Sequence, residues 1–242
     1  MKILLLDIET SPNIADVWGL WQQNVSLSQL RESSYTLCWA AKWLGDKRMF
    51  FGAKWEFEEE AYLGDIHYLM SEADAVVTYN GDRFDLPTLN KDFLLEGFGP
   101  PSPYKSIDIF KTVKSKFRFP SNKLAYVSKR LGVGEKLGHE GHDLWVKVIA
   151  GDRKAQKDMT KYCKQDVTIL EGVHDKVLPW ISDYPNRTLY SGTECTRCGN
   201  GVLQKRGYSY TAVGKFQTYR CSACGGWSKD TRRIEGVSVR NI

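Results

Sequence analysis

The sequence predicts an α/β protein. Its core is a mixed sheet, antiparallel at one edge and parallel at the other, flanked by helices and followed by a small cysteine-rich unit. Three observations carry this reading. Strand-like runs succeed one another up to residue 52 with no long helix between them, which requires antiparallel pairing. From residue 58 strands and helices alternate, which adds parallel strands. Beyond residue 192 the helical period stops and two C-x-x-C pairs appear.

The 242 residues are 42% hydrophobic and 26% charged, which excludes wholesale disorder and allows a core without disulfides. The first apolar run, residues 3–6, is stopped by Asp7. No run approaches the roughly 18 apolar residues of a membrane span, and no signal peptide is read. A soluble, cytoplasmic protein is expected.

In chain order, residues 2–7 read as a buried strand, and 14–18, 35–43 and 48–52 as further strands. Residues 58–72 read as helix, 75–79 as a buried strand, 86–95 as helix and 106–109 as a short strand. Helical stretches follow at 109–117, 122–131, 143–150 and 152–178. The eight Trp are expected mostly in the core, given where they fall in strands. The expected division is a domain over 1–181, a linker over 182–192 marked by Pro185, and a second domain over 193–242.

Four acids stand in awkward places. Asp7 and Glu9, two apart on an apolar strand, project from one face, where two carboxylates repel and resist desolvation. A divalent cation would relieve both. The plain alternative is a turn cap and a solvated Glu. Asp85 follows the turn signal Asn80-Gly81 at the end of a buried strand, where open sheets place ligands, although it would also serve as a helix cap. Asp166 interrupts the buried stripe Met159, Tyr162, Cys163, Val167, Leu170, so it needs a partner, either a cation or a structural Arg. Tyr162 lies one turn earlier on the same face.

Together, Leu6-Asp7-Ile8-Glu9-Thr10, Tyr79-Asn80-Gly81-x-x-Phe84-Asp85-x-Pro87 and Tyr162-x-x-x-Asp166 resemble, in order and spacing, the three motifs of the DEDD 3′→5′ exonucleases. Tyr162 is similar to the DEDDy branch; the DEDDh branch would carry His at position 161, where this chain has Lys161. The resemblance spans roughly residues 1–178 and implies an RNase H-like fold and hydrolysis of phosphodiester bonds with two Mg²⁺ or Mn²⁺ ions. It also implies roles. Asp7 would bridge both ions, Glu9 and Asp166 would hold the one at the nucleophile, and Asp85 would serve the second, largely through water. Tyr162 would orient the attacking water. Asn80 and Phe84 would contact the terminal nucleotide and Thr10 its sugar, the alternatives for Asn80 and Phe84 being turn and core roles.

Lys136, in the glycine-rich loop 132–138, is a further candidate for a phosphate. The spacing of that loop is wrong for a dinucleotide fingerprint. His139 and His142, in the same loop with Glu140 and Asp143, read as solvated loop residues, a metal site being the alternative. Asp108 reads as a helix cap or a support for the site. Residues 105–130 hold eight Lys and Arg against one acid, a phosphate track or a solvated face.

The charge is unevenly spread. Residues 1–190 carry 25 Lys and Arg against 26 Asp and Glu, whereas 191–242 carry 9 against 3. Cys195, Cys198, Cys221 and Cys224 form two C-x-x-C turns 22 residues apart, each followed by Gly, the pattern of one structural Zn²⁺ in a zinc ribbon. Arg197, Lys205, Arg206, Lys215, Arg220, Lys229, Arg232 and Arg233, with Tyr208, Tyr210 and Trp227, give this unit the composition of a nucleic-acid contact. A protein-docking module, meeting a polymerase or another replication protein, is the rival.

The function expected is a two-metal 3′→5′ exonuclease acting on single-stranded DNA or DNA 3′ ends, with the ribbon assisting. Two alternatives stay open at this point: a non-catalytic nucleic-acid-binding or scaffold protein on an RNase H-like frame, and an exoribonuclease.

Overall fold

The computed structural model describes residues 1–135, 137–138, 141–191 and 195–239. In chain order the elements of the larger unit are β1 (Ile3–Thr10), β2 (Ile14–Ala15), β3 (Leu30–Glu32), β4 (Thr36–Trp43), β5 (Phe50–Ala53), α1 (Glu59–Ser71), β6 (Ala75–Thr78), α2 (Asp85–Leu95), β7 (Lys105–Asp108), α3 (Ile109–Lys116), α4 (Leu124–Leu131), α5 (His142–Ile149) and α6 (Arg153–Val177). A short helix α7 (Thr188–Ser191) leads to β8 (Leu203–Thr211), β9 (Gly214–Cys221), β10 (Trp227–Lys229) and β11 (Glu235–Gly236).

Five strands form the main sheet in the order β5-β4-β1-β6-β7. β1 pairs antiparallel with β4 and β4 with β5. β1 is parallel to β6 and β6 to β7. β1 is thus the strand at which the sheet changes direction, and it is buried on both faces. Leu4, Leu6 and Ile8 pack with α1 and α2 (Tyr62, Ile66, Leu89, Phe93). Ile3 and Leu5 pack on the other side, beneath α3 to α6. By the two-residue period of a strand, Asp7 and Glu9 share the face of Ile3 and Leu5, the face that α6 covers.

Two expectations are corrected. The stretch expected as a sheet strand at 14–18 is only β2, and it pairs with β3 in a separate two-stranded ribbon rather than joining the main sheet. The tryptophans divide: Trp39 is buried with its indole N–H donated to the Tyr62 carbonyl at 2.8 Å, whereas Trp18, Trp21, Trp180 and Trp227 are exposed. The first two lie in the loop between β2 and β3, where no element covers them.

β8 to β11 form a second sheet with β9 at its centre. This sheet has little core of its own, for almost every residue of β8 is exposed. It is joined to the larger unit by specific bonds. Arg197 donates to the carbonyls of Leu178 (3.1 Å) and Ile181, just past the end of α6. The Arg187 N–H donates to the Thr196 carbonyl at 2.9 Å. The intervening segment is held too, since Tyr184 O–H and the buried His174 of α6 lie 3.1 Å apart. Among the described residues, no helix is long and apolar enough to cross a membrane.

A β-bulge falls between Glu9 and Thr10, where the register with β4 shifts to pair Thr10 with Thr36. Thr36 is clamped there. Both its N–H and its hydroxyl donate to Asp92 Oδ2 of α2, each at 2.7 Å, and its carbonyl accepts from Tyr62 O–H at 2.7 Å. Asp92→Ala leaves two buried donors without their acceptor and should destabilise the fold by about 2–4 kcal/mol. Urea-unfolding midpoints read the loss, and Asp92→Asn, which keeps one acceptor oxygen, should recover part of it.

Candidate active site

β1 and α6 bring three of the four acids together. One carboxylate oxygen from each of Asp7, Glu9 and Asp166 lies within 4.8 Å of the others. Asp166 is only 1% exposed and the other two are half-buried. α6 starts on Asp152, whose carboxylate accepts from the N–H groups of Lys154 (2.8 Å) and Ala155 (2.9 Å). Its apolar stripe, Met159, Cys163, Val167 and Leu170, then seats it on the sheet. That register aims Asp166 and Tyr162 inward. The Cys163 thiol reaches back towards the Asp7 carbonyl at 3.8 Å.

Asp85 arrives from the other side of the sheet. It is the first residue of α2, is buried, and its Oδ1 accepts the N–H of Ile8 at 3.2 Å, the residue between Asp7 and Glu9. The turn before it is built for a tight return. Asn80 is left-handed (φ 69°), a conformation Asn tolerates. At Gly81 a Cβ would lie 2.2 Å from Thr78 Oγ1, so only Gly fits. Asp108 holds this turn from β7: its Oδ1 accepts from Asn80 N–H (2.8 Å) and from Phe110 N–H (3.0 Å), capping α3. Burial pushes the Asp108 carboxyl above the usual range.

Tyr162 packs edge-on against Trp145 of α5, ring centroids 6.2 Å apart. It lines a cleft of about 550 Å³ with Leu144, Lys147, Lys154, Asp158 and Lys161. Thr10, Ser11 and Pro12 line a shallower groove with Gly141, His142 and Trp145. Phe84 is 44% exposed at the head of α2 rather than a core aromatic. Lys136, His139 and Glu140 lie outside the described residues. Of the basic run 105–130, Lys111 is engaged by Asp82 (2.5 Å), Lys105 by Asp183 (2.9 Å) and Lys129 by Glu135 (3.1 Å).

Trp145 belongs to no sequence motif, and Cys38 and Cys163 stand isolated along the chain. Those two buried thiols meet under the site. Cys38 is opposite Glu9 in the β1–β4 register, and burial raises both thiols. No spacing rule joins residues 125 positions apart, so only the fold reveals the pair.

The donor set fits a hard cation. Three carboxylates crowded at the edge of a core repel one another, and all their donors are oxygen, which suits Mg²⁺ or Mn²⁺ rather than a soft metal.

The second cluster has different chemistry. The Sγ atoms of Cys195, Cys198, Cys221 and Cys224 also lie within 4.8 Å of one another, with Cys195–Cys224 at 3.7 Å and Cys198–Cys221 at 3.8 Å. A tetrahedron of Zn–S bonds has edges of ~3.8 Å. Each sulfur accepts a backbone N–H two residues on, from Arg197, Asn200, Ala223 and Gly226, all at 3.4 Å. Burial raises the Cys221 thiol, but bonds from the Cys224 and Ala223 backbone and from neighbouring thiols outweigh it and bring it down to about 7.

The basic and aromatic residues of this unit do not share one face. Tyr208 and Tyr210 stand opposite Gln217 and Lys215, whereas Trp227 and Lys229 stand opposite Arg220 and Thr218. Odd and even positions of β9 point to opposite faces, so the set divides in two. Arg197, expected among the contacts, is spent on the end of α6 instead.

Comparison with known proteins agrees with this frame. A family model of the RNase H superfamily matches residues 4–178. No curated protein matches the chain. Among solved structures, the family B DNA polymerase from the hyperthermophilic archaeon Pyrobaculum calidifontis is similar, with a TM-score of 0.54 at 16% identity. The similarity covers 74% of this chain but only 24% of the polymerase, and at this identity it speaks for the fold alone.

Crowded carboxylates predict a stability effect. Asp166→Asn should melt higher than the wild type in EDTA, by on the order of 1 kcal/mol, because one repelling charge is gone. Millimolar Mg²⁺ or Mn²⁺ should raise the wild-type melting temperature and move the variant far less. Differential scanning fluorimetry checks both.

Proposed function

The chain belongs to the RNase H superfamily, and we propose from that premise that it is a two-metal 3′→5′ exonuclease acting on single-stranded DNA or DNA 3′ ends. The observation that carries the reading is the meeting of Asp7, Glu9 and Asp166, with Asp85 tied to the backbone between the first two. The ordered motif resemblance adds the polarity. The proposed division is a nuclease domain over 1–181, a connecting segment over 182–192 and a zinc ribbon over 193–242.

Asp7, Glu9 and Asp166 would hold one cation, and Asp7 with Asp85 the second. Two such ions supply Lewis acidity at the attacking water and charge neutralisation at the leaving 3′-oxygen. The protein's own groups do the rest. The Tyr162 hydroxyl, fixed by Trp145 behind its ring, orients the water for in-line attack. Asn80 and Phe84, at the head of α2, face the terminal nucleotide, and Thr10 at the bulge offers its backbone to the sugar. Lys136 is proposed as a phosphate contact on its sequence context in the glycine-rich stretch 132–138. The ribbon, closed by Zn²⁺ on its four cysteines, adds cationic and aromatic surface for the nucleic acid.

With end-labelled single-stranded DNA, stepwise loss from the 3′ end is expected with Mg²⁺ or Mn²⁺ and none in EDTA. Asp7→Ala and Asp166→Ala should each lower kcat by about 10³-fold or more. Tyr162→Phe should lower it by about 10–100-fold. Wild-type rates in the acid variants would remove the mechanism. Binding without cleavage under every metal condition would favour a scaffold role instead.

Elemental analysis should find one zinc per chain, lost in Cys221→Ser. A strong chelator should unfold the ribbon, whose sheet lacks an apolar core, while the larger unit keeps its melting transition.

A further inference from the structure

Between β2 and β3 the chain runs through residues 16–29 and turns its apolar side chains to solvent. Trp18 is 97% exposed, Trp21 86%, Leu20 86% and Leu27 89%. Scattered exposed apolar residues are ordinary, but four large ones within ten positions form a patch that calls for an occupant. The loop is closed at its neck. Asp16 N–H donates to the Gln29 carbonyl (2.9 Å), and Gln29 Nε2 returns a bond to the Asp16 carbonyl (2.8 Å). Ser26 N–H to Gln29 Oε1 (3.0 Å) shapes the turn at Leu27–Gln29.

The neck is fastened beside the acids. Ser11 N–H donates to the Tyr35 carbonyl (2.9 Å), Tyr35 N–H donates to Ser11 Oγ (3.0 Å), and Ser34 N–H donates to Asn13 Oδ1 (2.7 Å). Asp16 follows Glu9 by seven positions, a reach of at most ~25 Å even fully extended. The neck of the loop therefore lies within that reach of Glu9, on the chain that leaves the cluster of Asp7, Glu9 and Asp166.

The chemistry of the patch narrows the occupant. Residues 17–30 contain no Lys or Arg, so the loop neutralises no phosphate and has no cation for an anionic lipid surface. It offers two flat indole rings with apolar neighbours. The neutral flat faces nearest the acids, on the exonuclease reading, are the bases of the substrate itself, and stacking on aromatic rings is how single strands are held without regard to sequence. We propose that the 16–29 loop is a stacking platform for unpaired bases of the substrate strand, with Trp18 and Trp21 as its rings. This rests on the proposed exonuclease function and adds a strand contact made through bases, separate from any made through phosphates.

The test compares wild type with Trp18→Ala/Trp21→Ala, a change on the solvent side that should leave the melting temperature unaltered. For a single-stranded dodecamer, KM should rise about ten-fold or more with kcat unchanged, while turnover of a dinucleotide stays the same. Abasic spacers placed along the dodecamer should weaken the wild type and leave the double variant indifferent. Equal KM in the two proteins, or equal sensitivity to spacers, would overturn the proposal. So would a fall in the sedimenting mass of the double variant with KM intact, which would make the loop a contact between copies. If the wild type cleaves nothing, the exonuclease reading fails by itself. The loop is then judged by fluorescence anisotropy of a labelled dodecamer in EDTA, where a ten-fold weaker Kd for the double variant supports it and an equal Kd overturns it.

Discussion

Three carboxylates from distant parts of the chain are held within 4.8 Å of one another, and much of the larger unit reads as the means of holding them. Like charges at the edge of a core push apart. Here the push is met by two stiff elements. β1 lies inside the sheet with partners on both sides and apolar residues on both faces. α6, 25 residues long, is seated by an apolar stripe on either side of Asp166. Neither can yield locally without exposing core, so the carboxylates stay together and the repulsion is available to whatever cation relieves it.

The same logic places the turn at Asn80-Gly81. Asp85 reaches β1 only because the chain reverses tightly after β6, with Thr78 filling the space a Gly81 side chain would need. Asp108 fixes that reversal from the neighbouring strand, burying a carboxylate that serves backbone N–H groups rather than solvent. Its carboxyl is raised by burial, while Asp82, next to the same turn, is held below its ordinary range because bonds from Lys111 and Ser106 outweigh the burial that opposes them. One acid shapes the turn and the other ties it to α3.

The parts that were legible in the sequence are those where periodicity or motif spacing is strong. Strand β1, the helix carrying Tyr162 and Asp166, and both C-x-x-C turns follow from local pattern, because a stripe interrupted by an acid or a pair of thiols two residues apart leaves few alternatives. Three things were not legible. β2 and β3 pair outside the sheet, since short strands after Pro12 carry no register information of their own. The exposure of the Trp18 and Trp21 rings is the second, because hydrophobicity and strand-like surroundings give a tendency towards the core and not a location. Arg197 was counted as surface charge, and only the fold shows its guanidinium satisfying carbonyls at the end of α6. Each miss turns on whether one segment of the chain meets another, which local pattern does not say.

On the proposed reading, the charge distribution then divides recognition among separate surfaces. Residues 1–190 are close to neutral, with 25 basic against 26 acidic side chains, and several lysines of the run 105–130 are already paired with acids. A site made of carboxylates cannot by itself attract a polyanion, because until cations arrive the field near it is repulsive. The positive excess lies in the second unit, which is fastened to the end of the same helix that carries Tyr162 and Asp166. Phosphates would be drawn there, bases would be held on the neutral loop beside β1, and the acids would be left to bind metal. Separating these tasks lets the catalytic centre stay anionic without losing affinity for its substrate.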